Sequence, residues 1–325
     1  MSKFIYTDQK LIKLWSKVEN NSRFIIENGD VAIYLTKSNL NQETIVFEFN
    51  QIFHDSLKES LGFSIEKITL ANKSVLKIGN KNEQSKFADM FFLFIADLLN
   101  LCNDSQNLPI SKRYGLISMR IKAWQKFMKS ETDRFSSEQE IGLFGELLIL
   151  NFLIDKKIIQ GSITNVWQGP IRASRDFFIS KHLALEVKTS VIDNPFIAKI
   201  SSLEQLNNCD VENLYLVAVK LQESREGQTV SDLIKIIKEK LKDQYLICEF
   251  DSLLVISGFL ETKIYRPLIR LSLDYIKAFN VESIPRILPT TVKGVVRARY
   301  EIKLIDSTDS EINYPCSELE NIFID

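Results

Sequence analysis

Residues 141–154 read IGLFGELLILNFLI, and Glu146 is their one charged side chain. A helix apolar on nearly every side has no face to offer water, so it belongs at the centre of a domain with other elements packed around it. Its start is marked as well. Ser136 and Ser137 stand three residues before Gln139 and Glu140, the spacing of a capping box, which predicts a helix from Ser136 to about Lys156. Unpaired burial of a carboxylate costs several kcal/mol. Glu146 is therefore protonated, or held by a salt bridge or backbone hydrogen bond, or placed where the helix meets a polar cleft.

The turn-rich stretch that follows contains Trp167, Gly169 and Pro170, with Trp167 read as a structural aromatic. Asp176 then opens one strand-like run, in SRDFFI, and Glu186-Val187-Lys188 lies in a second, LALEVKTS. Side chains alternate along a strand, so Glu186 and Lys188 share one side and Val187 faces the other. A turn near residues 180–182 pairs the two runs and brings the Asp176 and Glu186 carboxylates together. Lys181 and His182 are read as that exposed turn. Converging carboxylate oxygens with room for water suit Mg²⁺. Such an ion polarises a phosphate and lowers the pKa of a bound water, while Lys188 orients that water or offsets charge in the transition state. The predicted chemistry is metal-assisted phosphodiester hydrolysis.

A glutamate two residues before a lysine is a weak signal on its own. Glu261 with Lys263 and Glu301 with Lys303 repeat it, and Asp251 precedes Glu261 by the same interval as Asp176 precedes Glu186. Context favours the first copy, which follows the apolar helix and precedes a predicted helix at 201–207 and the apolar strand 214–219. In the order GELLIL, WQGP, RDF, LEVKTS, ISSLEQL, residues 136–219 resemble the PD-(D/E)XK nuclease superfamily, in particular the prokaryotic PD-(D/E)XK motif proteins of restriction and phage-defence loci. The resemblance implies Asp176 and Glu186 as metal ligands, the Val187 carbonyl as a further ligand, Lys188 as the catalytic lysine and Glu146 as the helix acid supporting the metal through water. Gln205 falls where members carry a polar residue on the helix after the catalytic strand. Arg175 stands where the literal motif has proline.

Around this core the chain divides by pattern. Leu11, Leu14, Trp15 and Val18 recur at helical spacing, followed by β-rich runs at 24–26, 31–35, 44–49, 64–70 and 75–78 and an apolar helix over 85–101. This reads as an antiparallel meander backed by helices, closed by the polar stretch 103–107 and Pro109. The expected organisation is an N-terminal α+β domain over 1–110 for recognition, dimerisation or partner docking, a nuclease core over 111–243, and a C-terminal α+β extension over 244–325. The fold class is α/β: a restriction-endonuclease-like mixed sheet flanked by helices. Strands at 245–250, 253–259 and 295–303 and a helix at 268–279 are expected in the extension, and a helix over 230–242 closes the core.

The 325 residues carry 41 basic and 42 acidic side chains, a net charge of −1, so no global field gathers nucleic acid. A local excess does exist. From Lys112 to Arg134 seven basic residues face Glu131 and Asp133, a net +5. Arg120, Lys122, Lys126 and Lys129, on a helix predicted over 116–129, are the expected phosphate contacts beside the cleft, a solvated helix face being the other reading. The alternating Arg297, Arg299 and Lys303 are a second basic face. Four scattered cysteines, two histidines (His54 and His182) and an N-terminus without an apolar leader argue against disulfides, zinc and secretion, and no apolar run is long enough to span a membrane. The expectation is a cytoplasmic, Mg²⁺-dependent endonuclease acting on duplex DNA, with a homodimer and other defence-locus proteins as expected partners. The alternative is a catalytically silent nucleic-acid-binding or scaffold subunit.

Overall fold

A computed structural model describes residues 5–37, 42–54, 57, 62–81, 85–129, 135–171, 173–192, 195–261, 264, 266–289, 295–305 and 314–323, with the backbone alone at 85–89. Among the residues singled out above, Glu131, Asp133, Arg134 and Lys263 lie outside them. The chain forms two compact units, Met1–Glu131 with Asp243–Ile256, and Thr132–Lys242 with Ser257–Asp325.

In the first unit, helix α1 (Asp8–Trp15) is capped by Thr7, whose hydroxyl accepts from the Lys10 amide at 3.3 Å. Five antiparallel strands follow: β1 (Arg23–Glu27), β2 (Val31–Lys37), β3 (Glu43–Phe49), β4 (Phe63–Thr69) and β5 (Ser74–Asn80). Their order is β1-β2-β3-β5-β4, so the expected meander is interrupted: β5 pairs with β3 and leaves β4 at the edge. One face of the sheet buries Ile33, Leu35, Ile45, Phe47, Leu76 and Ile78. Helices α2 (Ser85–Asp104) and α3 (Ile110–Lys129) complete this core, with Phe63 stacked on Phe94 and Phe49 edge-on to Tyr114.

The second unit opens with α4 (Ser137–Asp155), and the capping box is formed between Ser136 and Gln139. After α5 (Ile163–Val166) come β6 (Phe177–Phe178), β7 (Leu183–Ser190), β8 (Phe196–Ile200), β9 (Asn213–Gln228), α6 (Val230–Lys240), β10 (Leu271–Asn280), β11 (Tyr300–Ile305) and β12 (Ser317–Glu318). The central sheet, ordered β12-β10-β9-β7-β6, is mixed, with β7 and β9 parallel and the other pairs antiparallel. Helix α4 packs on β7 and on α6. The α4–α6 contact is fastened where Lys240 donates to Asp155 and Asn151, each at 2.7 Å. The antiparallel pair β8–β11 contributes Phe196, Ala198, Ile200, Ile302 and Leu304 to a core shared with Ala184, Leu214, Leu216 and Ala218. This is a PD-(D/E)XK-like mixed α/β fold. Among the described residues no helix is long and apolar enough to cross a membrane, and all four cysteines are free.

Several expected elements differ. Residues 245–250 and 253–259, read as two strands, form instead one helix, α7 (Gln244–Ser257). It groups with the first unit because Arg120 of α3 reaches it, donating to the Ser252 hydroxyl at 3.0 Å and to the Cys248 carbonyl at 3.2 Å. By contact α3 and residues 243–256 thus belong with the N-terminal residues, whereas the sequence reading put α3 in the core and 243–256 across the core–extension boundary. The helix expected at 268–279 is the strand β10, paired with β9 over most of its length. The helix expected at 201–207 shrinks to a 3-10 turn at Leu203–Leu206, preceded by the unanticipated β8.

Candidate active site

The hairpin expected around residues 180–182 forms, with Phe177 opposite Leu185 and Phe178 opposite Ala184. That register brings Asp176, just before β6, beside Glu186 and Val187, and Asp176 Oδ2 accepts from the Val187 amide at 2.8 Å. Glu186 is 1 % exposed, and Lys188 Nζ lies 2.6 Å from its Oε1. The other oxygen, Oε2, is buried without a hydrogen-bond partner among the described residues.

Glu146 arrives from the helix side. Helix α4 approaches β7 so closely that a Cβ on Gly145 would stand 1.9 Å from Thr189 Oγ1, so only glycine fits there. The next residue, Glu146, is received by the Trp167 indole, whose Nε1 donates to Oε2 at 2.7 Å. Gly169 makes room for the carboxylates: a Cβ there would lie 2.7 Å from Glu146 Oε2 and 2.8 Å from Asp176 Oδ1. The two acids therefore face one small space whose wall is a glycine. Its loop is pinned as well, because the Gln168 and Gly169 amides both donate to the Asp176 carbonyl, at 2.7 and 3.0 Å.

The electrostatics are those of acids crowded out of water. Burial, then the nearby Asp176, pushes Glu186 up to about 8. Burial and the Asp176 charge push Glu146 well above the ordinary carboxylate range, against the indole hydrogen bond. Burial also raises Asp176, although Lys188 and the Val187 amide oppose it. Burial alone would lower Lys188, but Glu186, Asp176 and Glu146 together hold it above its ordinary value, so it stays charged.

This donor set fits a hard cation. It consists of carboxylates that are costly to ionise as they stand: Glu146 and Asp176 around a space that a single methyl would fill, and Glu186, whose Oε2 is buried without a hydrogen-bond partner among the described residues. Among the described residues no three His, Cys, Asp or Glu side chains are gathered into a ready-made ligand cluster, so any cation would draw on backbone oxygen and water too.

Arg175, at the proline position of the motif, is 6 % exposed and spans to the residues after the 3-10 turn: it pairs with Asp210 at 2.5 Å and donates to the Asn207 carbonyl. An ion pair thus fixes the backbone next to Asp176. Gln205 is spent locally, its Oε1 accepting from the Ser201 amide at 2.7 Å. Sequence reasoning missed the roles of Trp167, Gly169 and Arg175. Trp167 had a usable signal, as an indole donor near an otherwise isolated acid.

The basic residues fare differently. Arg120 is 4 % exposed and pairs with Asp97 at 2.5 Å, which also accepts from Trp124 at 2.7 Å, so it is a core tie and not a phosphate contact. Burial among apolar helices, which sequence spacing does not reveal, is the reason. Lys122 and Lys129 are exposed and Lys126 half-buried on the same helix. In the decoy copy, Asp251 lies on α7, and Glu261 accepts from the Ser231 hydroxyl at 2.7 Å. Lys303 lies in β11, while Arg297 and Arg299 precede it. His182 pairs with Glu212 at 2.7 Å, both exposed.

No curated protein and no solved structure matches the chain. A family model does, over residues 11–305, and it is described as "Putative PD-(D/E)XK family member, (DUF4420)". With nearly the whole chain matched and the mixed sheet in place, the protein belongs to the DUF4420 family of PD-(D/E)XK-type proteins.

Proposed function

We propose that this protein is a divalent-metal-dependent endodeoxyribonuclease of bacterial restriction or phage defence, working in the cytoplasm with Mg²⁺ as its ion. The observation that carries this reading is the meeting of Glu146 and Asp176 across Gly169, beside the buried Glu186–Lys188 pair. Asp176, Glu186 and the Val187 carbonyl would hold the ion, with Glu146 supporting it through water; the ion would supply positive charge against a phosphate oxygen. The chain's own residues do the rest. Lys188 stays protonated under three carboxylates and sets an ammonium against charge that develops on the phosphate. Trp167 holds the Glu146 carboxylate in one orientation, and Asp176 is fixed by the Val187 amide on one side and by the Arg175 anchor on the other.

Lys122, Lys126 and Lys129 are the phosphate contacts retained for this reading, with the N-terminal unit assigned to recognition, dimerisation or partner docking. The test is incubation of purified protein with supercoiled plasmid, unmethylated and methylated, in Mg²⁺ and in EDTA. Nicking or linearisation in Mg²⁺ alone is expected. No cleavage of any plasmid, with nucleic acid still bound, would point to the silent binding subunit.

A further inference from the structure

The sheet of the first unit has two unlike faces. Opposite its apolar face a row of residues crosses all five strands, three of them bearing hydroxyls. Arg23 stands opposite Thr36, Thr36 opposite Thr44, Thr44 opposite Gly79, and Gly79 opposite Ser64. Along this row lies a concavity of about 390 Å³, walled also by Asn21, Lys37, Gln42, Glu66 and Lys77, a size at the lower end of that of small-ligand sites.

Gly79 keeps the floor open. A Cβ there would stand 2.7 Å from Ser64 Oγ and 3.5 Å from Thr44 Oγ1. The two hydroxyls are little used inside the chain, since their bonds to the Gly79 and Gln42 carbonyls measure 3.4 and 3.5 Å, at the outer limit for a hydrogen bond. Tyr34 and Val46 also line the concavity, an apolar patch beside the hydroxyls that offers a surface to a base or sugar as well as hydrogen-bonding groups.

The walls carry Arg23, Lys37 and Lys77 against Glu66. Lys77 pairs with Glu66 at 3.1 Å, and Arg23 lies 3.7 Å from Glu48 and over the Tyr34 ring. These ion pairs have exposed members, so an incoming anion competes with them at little cost. Arg23 on β1 and Lys77 on β5 are three strand spacings apart, roughly 14 Å. One phosphate cannot touch both, whereas an extended polyanion does.

We propose that this trough seats a single strand of nucleic acid, its phosphates against Lys37, Arg23 and Lys77 and its sugar or base edges on the hydroxyl row. A concavity of about 390 Å³ admits one extended strand more readily than the two paired strands of a duplex. The inference rests on the nuclease reading and adds a second contact surface to it.

Full-length protein in EDTA, titrated with labelled single-stranded and duplex oligonucleotides of one sequence over a salt series, tests it. The pair Lys37→Ala/Lys77→Ala should weaken single-strand binding roughly tenfold or more and flatten the slope of log affinity against log salt by up to about 1.4. Gly79→Leu, which fills the floor, should weaken it too; if that variant unfolds, the charge pair decides. Folded charge variants that bind the single strand like wild type overturn the trough while plasmid cleavage still stands for the nuclease reading. Weakening confined to the duplex, or displacement of the strand by a mononucleotide at equal concentration, also overturns it. Wild-type protein that binds neither oligonucleotide and cuts no plasmid overturns both readings.

Discussion

Trp167 Nε1 donates to Glu146 Oε2 at 2.7 Å, so the acid of the apolar helix is oriented by an indole that is itself fully buried. Trp167→Phe keeps an aromatic ring, smaller than the indole, and removes the donor. We expect a roughly tenfold loss of Mn²⁺ affinity or of turnover, in line with the typical cost of removing a group that orients a ligand. Calorimetry with Mn²⁺ and a cleavage assay measure it. Glu146→Gln, by contrast, replaces a carboxyl that burial already holds against ionisation, and should lower activity while leaving the melting temperature unchanged or higher.

Gly169→Ala places a methyl between Glu146 and Asp176. Because Gly169 is not among the residues with a positive φ, alanine meets no backbone penalty there. The expected result is a protein that still folds, destabilised by about 1–3 kcal/mol because the methyl displaces acids held by Trp167 and the Val187 amide, with at least roughly tenfold weaker cation binding. Full activity in this variant would mean that the space between the two acids is not used.

Asp176→Ala and Glu186→Ala should each abolish metal-dependent cleavage, since each removes a hard oxygen donor. Lys188→Ala should lose turnover but keep Mn²⁺ binding, because an ammonium is not a ligand. Equal loss of Mn²⁺ affinity in Lys188→Ala and Glu186→Ala would assign the lysine a structural task.

With Glu186 pushed up to about 8, the folded metal-free protein keeps a proton that the unfolded chain releases near the ordinary glutamate value of 4.5. The folded state therefore binds more protons between those two values, and its stability falls as pH rises through that window, levelling above about pH 8. Glu146 and Asp176, also raised, act in the same direction. Melting curves in EDTA from about pH 5 to 8 should decline. Glu186→Gln should flatten the decline, as should added Mg²⁺, which favours the ionised form.

Arg175→Ala leaves Asp210 and the Asn207 carbonyl without their partner. Since Asp210 is 57 % exposed, the loss is that of one charge-assisted hydrogen-bond set, about 1.5–3 kcal/mol, and not of a fully buried pair. Thermal denaturation gives the stability change. A parallel fall in Mn²⁺ affinity would report the displacement of Asp176.

What could be read from the sequence was whatever depended on local period. The strands of the first unit alternate apolar and polar positions, and the 186–188 strand gives its chemistry by alternation alone. Helix α7 was misread because residues 245–257 are apolar on too many sides for period to separate a helix from two short strands. LSLDYIKAFN satisfies both spacings, and only its pairing with β9 makes it β10. The burial of Arg120 and the gap left by Gly169 depend on contacts between distant segments, and no local pattern encodes them.

Gly145 and Thr189 share a volume that holds one methyl fewer than two ordinary residues would bring. The spacing between the helix that carries Glu146 and the strand that carries Glu186 is thus set by an absence. Any side chain gained at position 145 must be given up at position 189, or the helix rides outward and takes its acid away from the others. The two sites are therefore free to vary only as a couple, and a lineage that enlarges one first passes through a protein with its acids held apart.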